Sequence, residues 1–322
     1  MHINETIWPG IAAATIGLVV LWAYARRVEQ FYLRWPLWMR IVNGAAISTL
    51  AVAWVIGVHA WLIEPRTLVV RHVDVASEHW AGSPLVIGVI ADTHVPGPHV
   101  DPARVRSIVT RMNGLNPDVV VLLGDYVGEG EQRIDRSPSV YGSMGDGIAA
   151  FAGLRAPYGV VAVLGNRDRS FDRDAIARAL ESANVFVAAG RGVEIERLNG
   201  NFSIVGLANE EDAEADVRNA MSGVSTADRI VISHSAEPFP VLPRGVALML
   251  AGHTHCGQVS VPFLGRPITH LGENRDLACH RVDADGQTLY TTAGVGTSGL
   301  PMRFLNPPEI VLITLRGAEP AN

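Results

Sequence analysis

Seven side chains able to ligate a metal stand in five short motifs, each closing an apolar run: Asp92 and His94, Asp125, Asn166, His234, and His253 with His255. Imidazole nitrogens mixed with carboxylate and amide oxygens suit Mn, Fe or Zn better than Mg or Ca alone. A set of this size can serve two divalent metal ions if one carboxylate bridges them, and a bridged pair can hold a hydroxide against phosphorus. The chemistry indicated is hydrolysis of a phosphoester. Any one motif alone is more often a turn or a cap than a metal site. Their recurrence at successive strand ends is what points to a common site.

The elements that must carry these residues alternate. Residues 85–90 form a continuous apolar run, the mark of a strand buried on both faces, and lead into Asp92-Thr93-His94. Asp101-Pro102 opens a helix that ends near Gly114. Strands over 119–123 and 160–164 deliver Gly124-Asp125 and Gly165-Asn166, and helices are expected over 174–182 and 213–221. Strands near 185 and over 203–207, 230–232 and 246–250 follow, the last two delivering Ser233-His234 and Gly252-His253-Thr254-His255, with further strands over 289–293 and 310–315. Polar residues beyond the carboxyl ends of strands occupy the expected site position of an α/β fold. In Asp92-x-His94 and His253-x-His255 an extended backbone would aim both ligands to one side. Glycines 124, 165 and 252, just before the ligands, allow sharp turns and close approach.

The N-terminal part is different in kind. Uncharged apolar stretches over about 7–25 and 41–63 are each long enough to cross a bilayer, and predict a transmembrane hairpin over 1–66, a catalytic domain over 67–317 and a tail over 318–322. The alternative for the first stretch is a signal peptide or a buried helix. Arg26, Arg27, Arg34 and Arg40, with aromatic Phe31, Tyr32, Trp35 and Trp38, put the hairpin loop on the cytoplasmic side of a plasma membrane. The catalytic domain then lies on the other face, although Arg66 and Arg71 weigh against this orientation. A net charge of −6 and a pI near 6 exclude a nucleic-acid partner on bulk electrostatics. The two cysteines, Cys256 and Cys279, say almost nothing about compartment; Cys256 reads as a packing residue in place of glycine.

With these motifs assembled, the chain resembles the calcineurin-like metallophosphoesterases, and within them the membrane-associated YkuE/YaeI-like branch. The resemblance spans 67–315 and rests on Asp92-Thr93-His94, Gly124-Asp125-Tyr126, Gly165-Asn166-Arg167-Asp168, Ser233-His234-Ser235 and Gly252-His253-Thr254-His255-Cys256-Gly257-Gln258, joined by the late segment 296–309. It implies a four-layer α/β/β/α sandwich. It also implies that Asp92, His94 and His255 hold one metal, that Asn166, His234 and His253 hold the other, and that Asp125 bridges them.

The resemblance has one departure. Most of the family places a histidine after the asparagine to protonate the leaving oxygen, with the next acid orienting it; here Arg167 precedes Asp168. A guanidinium cannot serve as a general acid. The leaving group should therefore depart as a stable anion, as a phosphate does, and Arg167 could clamp its oxygens. The same Gly-Asn-Arg-Asp variant resembles the UDP-2,3-diacylglucosamine pyrophosphatases of lipid A synthesis, which implies a lipid-linked pyrophosphate or activated diester as substrate. Lipid A precursors carrying UDP are cytoplasmic, whereas the arginine count places this domain outside, so the chemistry is retained and the substrate kept general. Simple pairing of Arg167 with Asp168 is the plainer alternative for that residue. A broad phosphomonoesterase, and a membrane module that binds metal without turnover, are alternatives for the whole chain. Residues 127–147, long, polar and glycine-rich, read as a loop capping the substrate.

Overall fold

The computed structural model describes residues 15–17, 19–24, 26–27, 35–128, 138–198, 200–208, 212–267, 271 and 274–318. Two six-stranded sheets make up its centre. The first has the order β1 (Val69–Ser77), β12 (Glu309–Gly317), β2 (Leu85–Ile90), β3 (Val119–Leu122), β4 (Val160–Ala162) and β5 (Phe186–Val187). The second runs β10 (His280–Ala284), β11 (Gln287–Thr291), β9 (Val246–Ala251), β8 (Arg229–Ile232), β7 (Phe202–Gly206) and β6 (Arg191–Ile195). Within each sheet four consecutive strands are parallel, β2 to β5 in one and β11, β9, β8 and β7 in the other.

Three apolar clusters make the layers cohere. Between the sheets, Ile87, Val89, Val121 and Val163 of one meet Phe202, Ile204, Ile232 and Leu250 of the other. Outside the first sheet, Val105, Ile108 and Met112 of α2 (Pro102–Asn113), Met144 and Ile148 of α3 (Pro138–Ala149), and Ile176 and Leu180 of α4 (Asn166–Ser182) cover the opposite face. Val217 and Ala220 of α5 (Ala213–Met221) cover the second sheet. This is the expected α/β/β/α sandwich. Burial on both faces explains why the central strands are uninterrupted apolar runs rather than alternating ones. Asp101 caps α2 by accepting from the Arg104 amide at 2.7 Å, and Asp212 does the same for α5 through Ala215 at 3.0 Å.

Several elements depart from the sequence reading. Residues 138–147 of the anticipated capping loop belong to the helix Pro138–Ala149 despite three glycines, because Met144, Ile148 and Phe151 recur at helical spacing against the core. Residues 129–137 of that loop lie outside the described residues. Helix α4 begins at Asn166 rather than near 174 and breaks at Asp172, whose φ is −169°. Edge strands β6 and β10, with mixed burial, carry little hydrophobic signal and were not anticipated.

N-terminal to the sandwich, α1 (Leu37–Val58) continues through His59–Ile63 and Glu64–Arg66 as one 30-residue apolar helix, long enough to cross a membrane by length and composition. Arg40 belongs to this helix rather than to the loop before it. Of the earlier stretch at 7–25, the described residues between Thr15 and Tyr24 are helical, and 7–14 fall outside them.

Glu309, at the start of β12, locks the sandwich behind the ligand loops. Burial opposes its charge, yet His280 Nε2 at 3.8 Å, Arg71 Nε at 2.7 Å and the Ala293 amide at 3.0 Å outweigh burial and hold the carboxyl down at about 2. A depressed carboxyl contributes stability above its unfolded value of 4.5 and loses it as pH falls toward 2. We expect Glu309→Gln to cost about 3 kcal/mol at neutral pH. Acid unfolding curves between pH 5 and 2 should show the gap between variant and parent closing as pH falls; a constant gap would refute the assignment.

Candidate metal centre

All seven sequence-selected donors converge beyond the carboxyl ends of β2, β3, β4, β8 and β9, where the two sheets aim their parallel strands at the same place. They form two groups. Asp92, His94 and His255 bring one donor atom each within 4.8 Å of one another and are fully buried; Asp125, His234 and His253 do the same, with His253 partly open. Asn166 joins the second group, its Oδ1 lying 3.0 Å from His234 Nε2. Asp125 stands between them, with Oδ2 3.7 Å from His94 Nε2 and Oδ1 3.5 Å from His234 Nε2.

The backbone achieves this by strain rather than by extension. Asp92, His94, Asp125, His253 and His255 have φ of 55°, 47°, 54°, 71° and 49°, in the left-handed region that non-glycine residues rarely adopt. Left-handed turns bring Asp92 and His94 into one group and send His253 and His255 to different groups, which corrects the extended, same-side geometry expected from the sequence. Such strain persists where surrounding contacts over-determine it, as they do at functional sites. Gly165 shows how close the packing is, since a Cβ there would fall on Asp125 Oδ1.

The residues fit a pair of cations. Nitrogen faces nitrogen at 3.1 Å between His94 Nε2 and His255 Nε2, and again between His234 Nε2 and His253 Nδ1. His94 Nδ1 lies 3.3 Å from Val127 O, and His234 Nδ1 2.8 Å from Leu123 O. Donation to those carbonyls makes Nε2 the lone-pair nitrogen of each ring, the tautomer a metal requires. Burial, followed by the charges of His94 and Arg303, pushes His255 well below the ordinary histidine range and keeps it neutral. Asp92 is pushed up by burial and then by Asp125, while Asp125 stays low against burial through His234 and His94. Two carboxylates this buried and this close call for positive charge between them.

Asp168 supports the centre from behind. Its carboxylate is buried and accepts the backbone N–H of Asp125 (2.8 Å), Tyr126 (2.9 Å), Val127 (3.2 Å) and Gly165 (2.8 Å). Burial and the charge on Asp125 push it up to about 7, and those N–H donors pull the other way. With its oxygens so engaged, Asp168 positions the Asp125 loop. Arg167 sends its amide to Asp125 Oδ1 at 2.9 Å and is exposed at the start of α4.

The calcineurin-like phosphoesterase profile matches residues 85–257, just over half of the chain, and contains all seven donors. The chain belongs to this family. A metallophosphoesterase named YkuE from Bacillus subtilis is 28% identical over 66% of the chain and 73% of its own length. Phosphodiesterase YaeI of Escherichia coli is 29% identical over 62% and 70%. A transmembrane protein with a metallophosphoesterase domain from Danio rerio is 27% identical over 71% of the chain; the chain spans about half of that relative, 53%. As a calcineurin-like phosphoesterase the protein is a metal-dependent phosphoester hydrolase, of a family that binds two divalent metal ions.

Three residues of this phosphoesterase escaped the sequence reading. Arg303, wholly buried, donates to the carbonyls of Ala293, Gly294, Gly296 and Asn306 and so shapes the loop against Asp92. Asn306 Nδ2 holds the carbonyls of His255 (2.8 Å) and Cys256 (3.0 Å). Glu64, at the end of the apolar helix, accepts the amides of Leu305 and Asn306. The late Arg-Phe and Pro-Pro-Glu segment was visible in the sequence only as a likeness, with no local signal of these roles. Cys256 is not a simple packing residue: it is disulfide-bonded to Cys279, which ties the His255 turn to the start of β10.

Proposed function

We propose that the protein is a membrane-anchored binuclear phosphohydrolase acting on a pyrophosphate or activated phosphodiester of a lipid-linked substrate. The observation that carries this reading is Asp125, one carboxylate with an oxygen toward each donor group. In it Asp92, His94 and His255 would hold one cation, Asn166, His234 and His253 the second, and Asp125 would serve both; Mn, Fe or Zn suits these donors. When bound, the pair supplies an acidified water and positive charge for the phosphoryl oxygens.

The chain's own groups do the rest. The His253 amide holds both oxygens of Asp92 at 3.1 and 3.2 Å, fixing the buried cluster, while the more open side at Asn166 and His253 admits the phosphate. Arg167, next to Asn166, clamps the departing phosphate, which leaves as a stable anion and needs no proton. Anchoring is supported by the apolar helix Leu37–Arg66. A catalytic domain on the non-cytoplasmic face is supported by the arginines before that helix and by the Cys256–Cys279 disulfide, which persists in an oxidising compartment.

The test is a substrate panel with detergent-solubilised full-length protein and Mn²⁺, Zn²⁺ or Fe²⁺. Lipid-linked and nucleotide pyrophosphates should be cleaved faster than alkyl phosphomonoesters, and Arg167→Ala should lower kcat/KM on pyrophosphates ten- to a hundredfold, the worth of a charge-assisted phosphate contact. Good turnover of alkyl monoesters with none of pyrophosphates or diesters would overturn the reading.

A further inference from the structure

Immediately after the His255 loop the chain makes a short hairpin, closed by Val261 N to Gly265 O at 2.8 Å and Gly265 N to Val261 O at 2.9 Å. Its tip presents Phe263 and Leu264 to solvent, 109% and 80% exposed. Phe263 also has a φ of +69°, an outlying conformation for a bulky aromatic residue. Strain and full exposure of an aromatic ring are both unfavourable in water, and together they indicate that something other than water meets this tip.

The identity of that surface follows from what the hairpin is fastened to. Ser260 N donates to Phe304 O at 2.8 Å, and Phe304 N to Gln258 O at 3.0 Å. The same segment is bonded to the last turns of the apolar helix, by Arg303 N to Ala60 O at 2.9 Å and Leu305 N to Glu64 Oε2 at 2.9 Å. Leu300, Leu305 and Ile63 are exposed beside these bonds. Where the helix leaves a bilayer, the hairpin tip and these leucines are therefore held near the same level. Cations accompany them: Arg66 and Arg104 are joined by Arg104 Nη2 to Arg66 O at 2.8 Å, and the half-buried Arg266 follows just past the tip. Aromatic and aliphatic side chains flanked by arginine are the composition of a bilayer interface with anionic headgroups.

We propose that Phe263–Leu264, with Leu300 and Leu305, inserts into the leaflet in which the apolar helix ends, so that the mouth of the metal centre faces lipid headgroups. This rests on the anchoring reading above. It narrows the substrate to a phosphate ester or pyrophosphate presented by a lipid whose apolar part stays in the leaflet, since the partly open ligand His253 lies on the loop that leads into the hairpin.

The experiment uses the full chain, its native disulfide intact, in vesicles of phosphatidylethanolamine and phosphatidylglycerol. Nitroxide labels are placed singly at Phe263→Cys, at Val52→Cys in the middle of the apolar helix, and at Leu198→Cys, exposed on the β6–β7 turn. Collision with lipid-soluble oxygen and with a water-soluble nickel chelate is read by electron paramagnetic resonance. We expect labels 52 and 263 to favour oxygen and label 198 to favour nickel. Label 52 in lipid with label 263 as aqueous as label 198 would overturn the docking surface alone, and label 52 in water would overturn the anchoring beneath it. Spin–spin broadening at 263 would show that a second copy of the chain, not lipid, covers the tip, and would also overturn the proposal.

Discussion

Asp125→Ala should reduce hydrolysis by about a thousandfold or more and lower the bound metal below two equivalents per chain. Asp92 and Asp125 are the only carboxylates in the two donor groups. Two divalent cations held by imidazoles and an amide depend on these two charges for neutralisation, and removing the one shared between both groups weakens both at once. Loss of several kcal/mol of charge stabilisation corresponds to three or more decades in rate. In the metal-free protein the relief of a like charge at Asp92 is opposed by loss of the contacts of Asp125 with His234, His94 and the Arg167 amide, so stability should fall far less than activity. Metal analysis, turnover of bis-p-nitrophenyl phosphate and thermal unfolding in chelator would be measured together. A variant that keeps two metals and a tenth of the activity would remove Asp125 from the centre.

The second large effect is expected at a residue buried behind the Asp125 loop. In Asp168→Asn one carbonyl oxygen replaces a carboxylate that accepts four backbone N–H groups, and the new amide brings donors of its own. At least two buried N–H groups lose their partner, at about 1–3 kcal/mol each. Stability should therefore fall by roughly 3 kcal/mol, and the loop that carries Asp125 should loosen. Weakened support behind a ligand typically costs on the order of ten- to a hundredfold in metal affinity. Since Asp168 positions rather than reacts, excess metal should restore much of the variant's kcat while leaving its lowered unfolding midpoint in chelator unchanged. If metal titration cannot recover the rate and stability is intact, Asp168 has a direct chemical role instead.

Much of the fold was legible because burial on both sheet faces writes itself as unbroken apolar runs. Residues 85–90, 119–122, 230–232 and 246–251 announce their strands, and Asp101-Pro102 its helix start. The edge strand Arg191–Ile195 was not legible, since a strand with one covered face and charged neighbours has no such run. The helix Pro138–Ala149 was hidden by glycines that disfavour helix in isolation and are overridden by Met144 and Ile148 packing on the core. Glu64 and Arg303 offered no sign of their partners, 241 residues away for Glu64 and Leu305.

By itself, then, the sequence determined which donors there are and in what order the strands deliver them, because ligand chemistry is fixed by residue type and strand ends by local hydrophobic pattern. Only the tertiary structure decided that Asp125 turns one oxygen to each group, that five of the ligands sit in left-handed turns, that Cys256 pairs with Cys279, and that the hairpin bearing a strained Phe263 is bonded to the segment that holds the end of an apolar helix. Those are distances between segments far apart in the chain, set when two sheets pack face to face, and no local pattern encodes them.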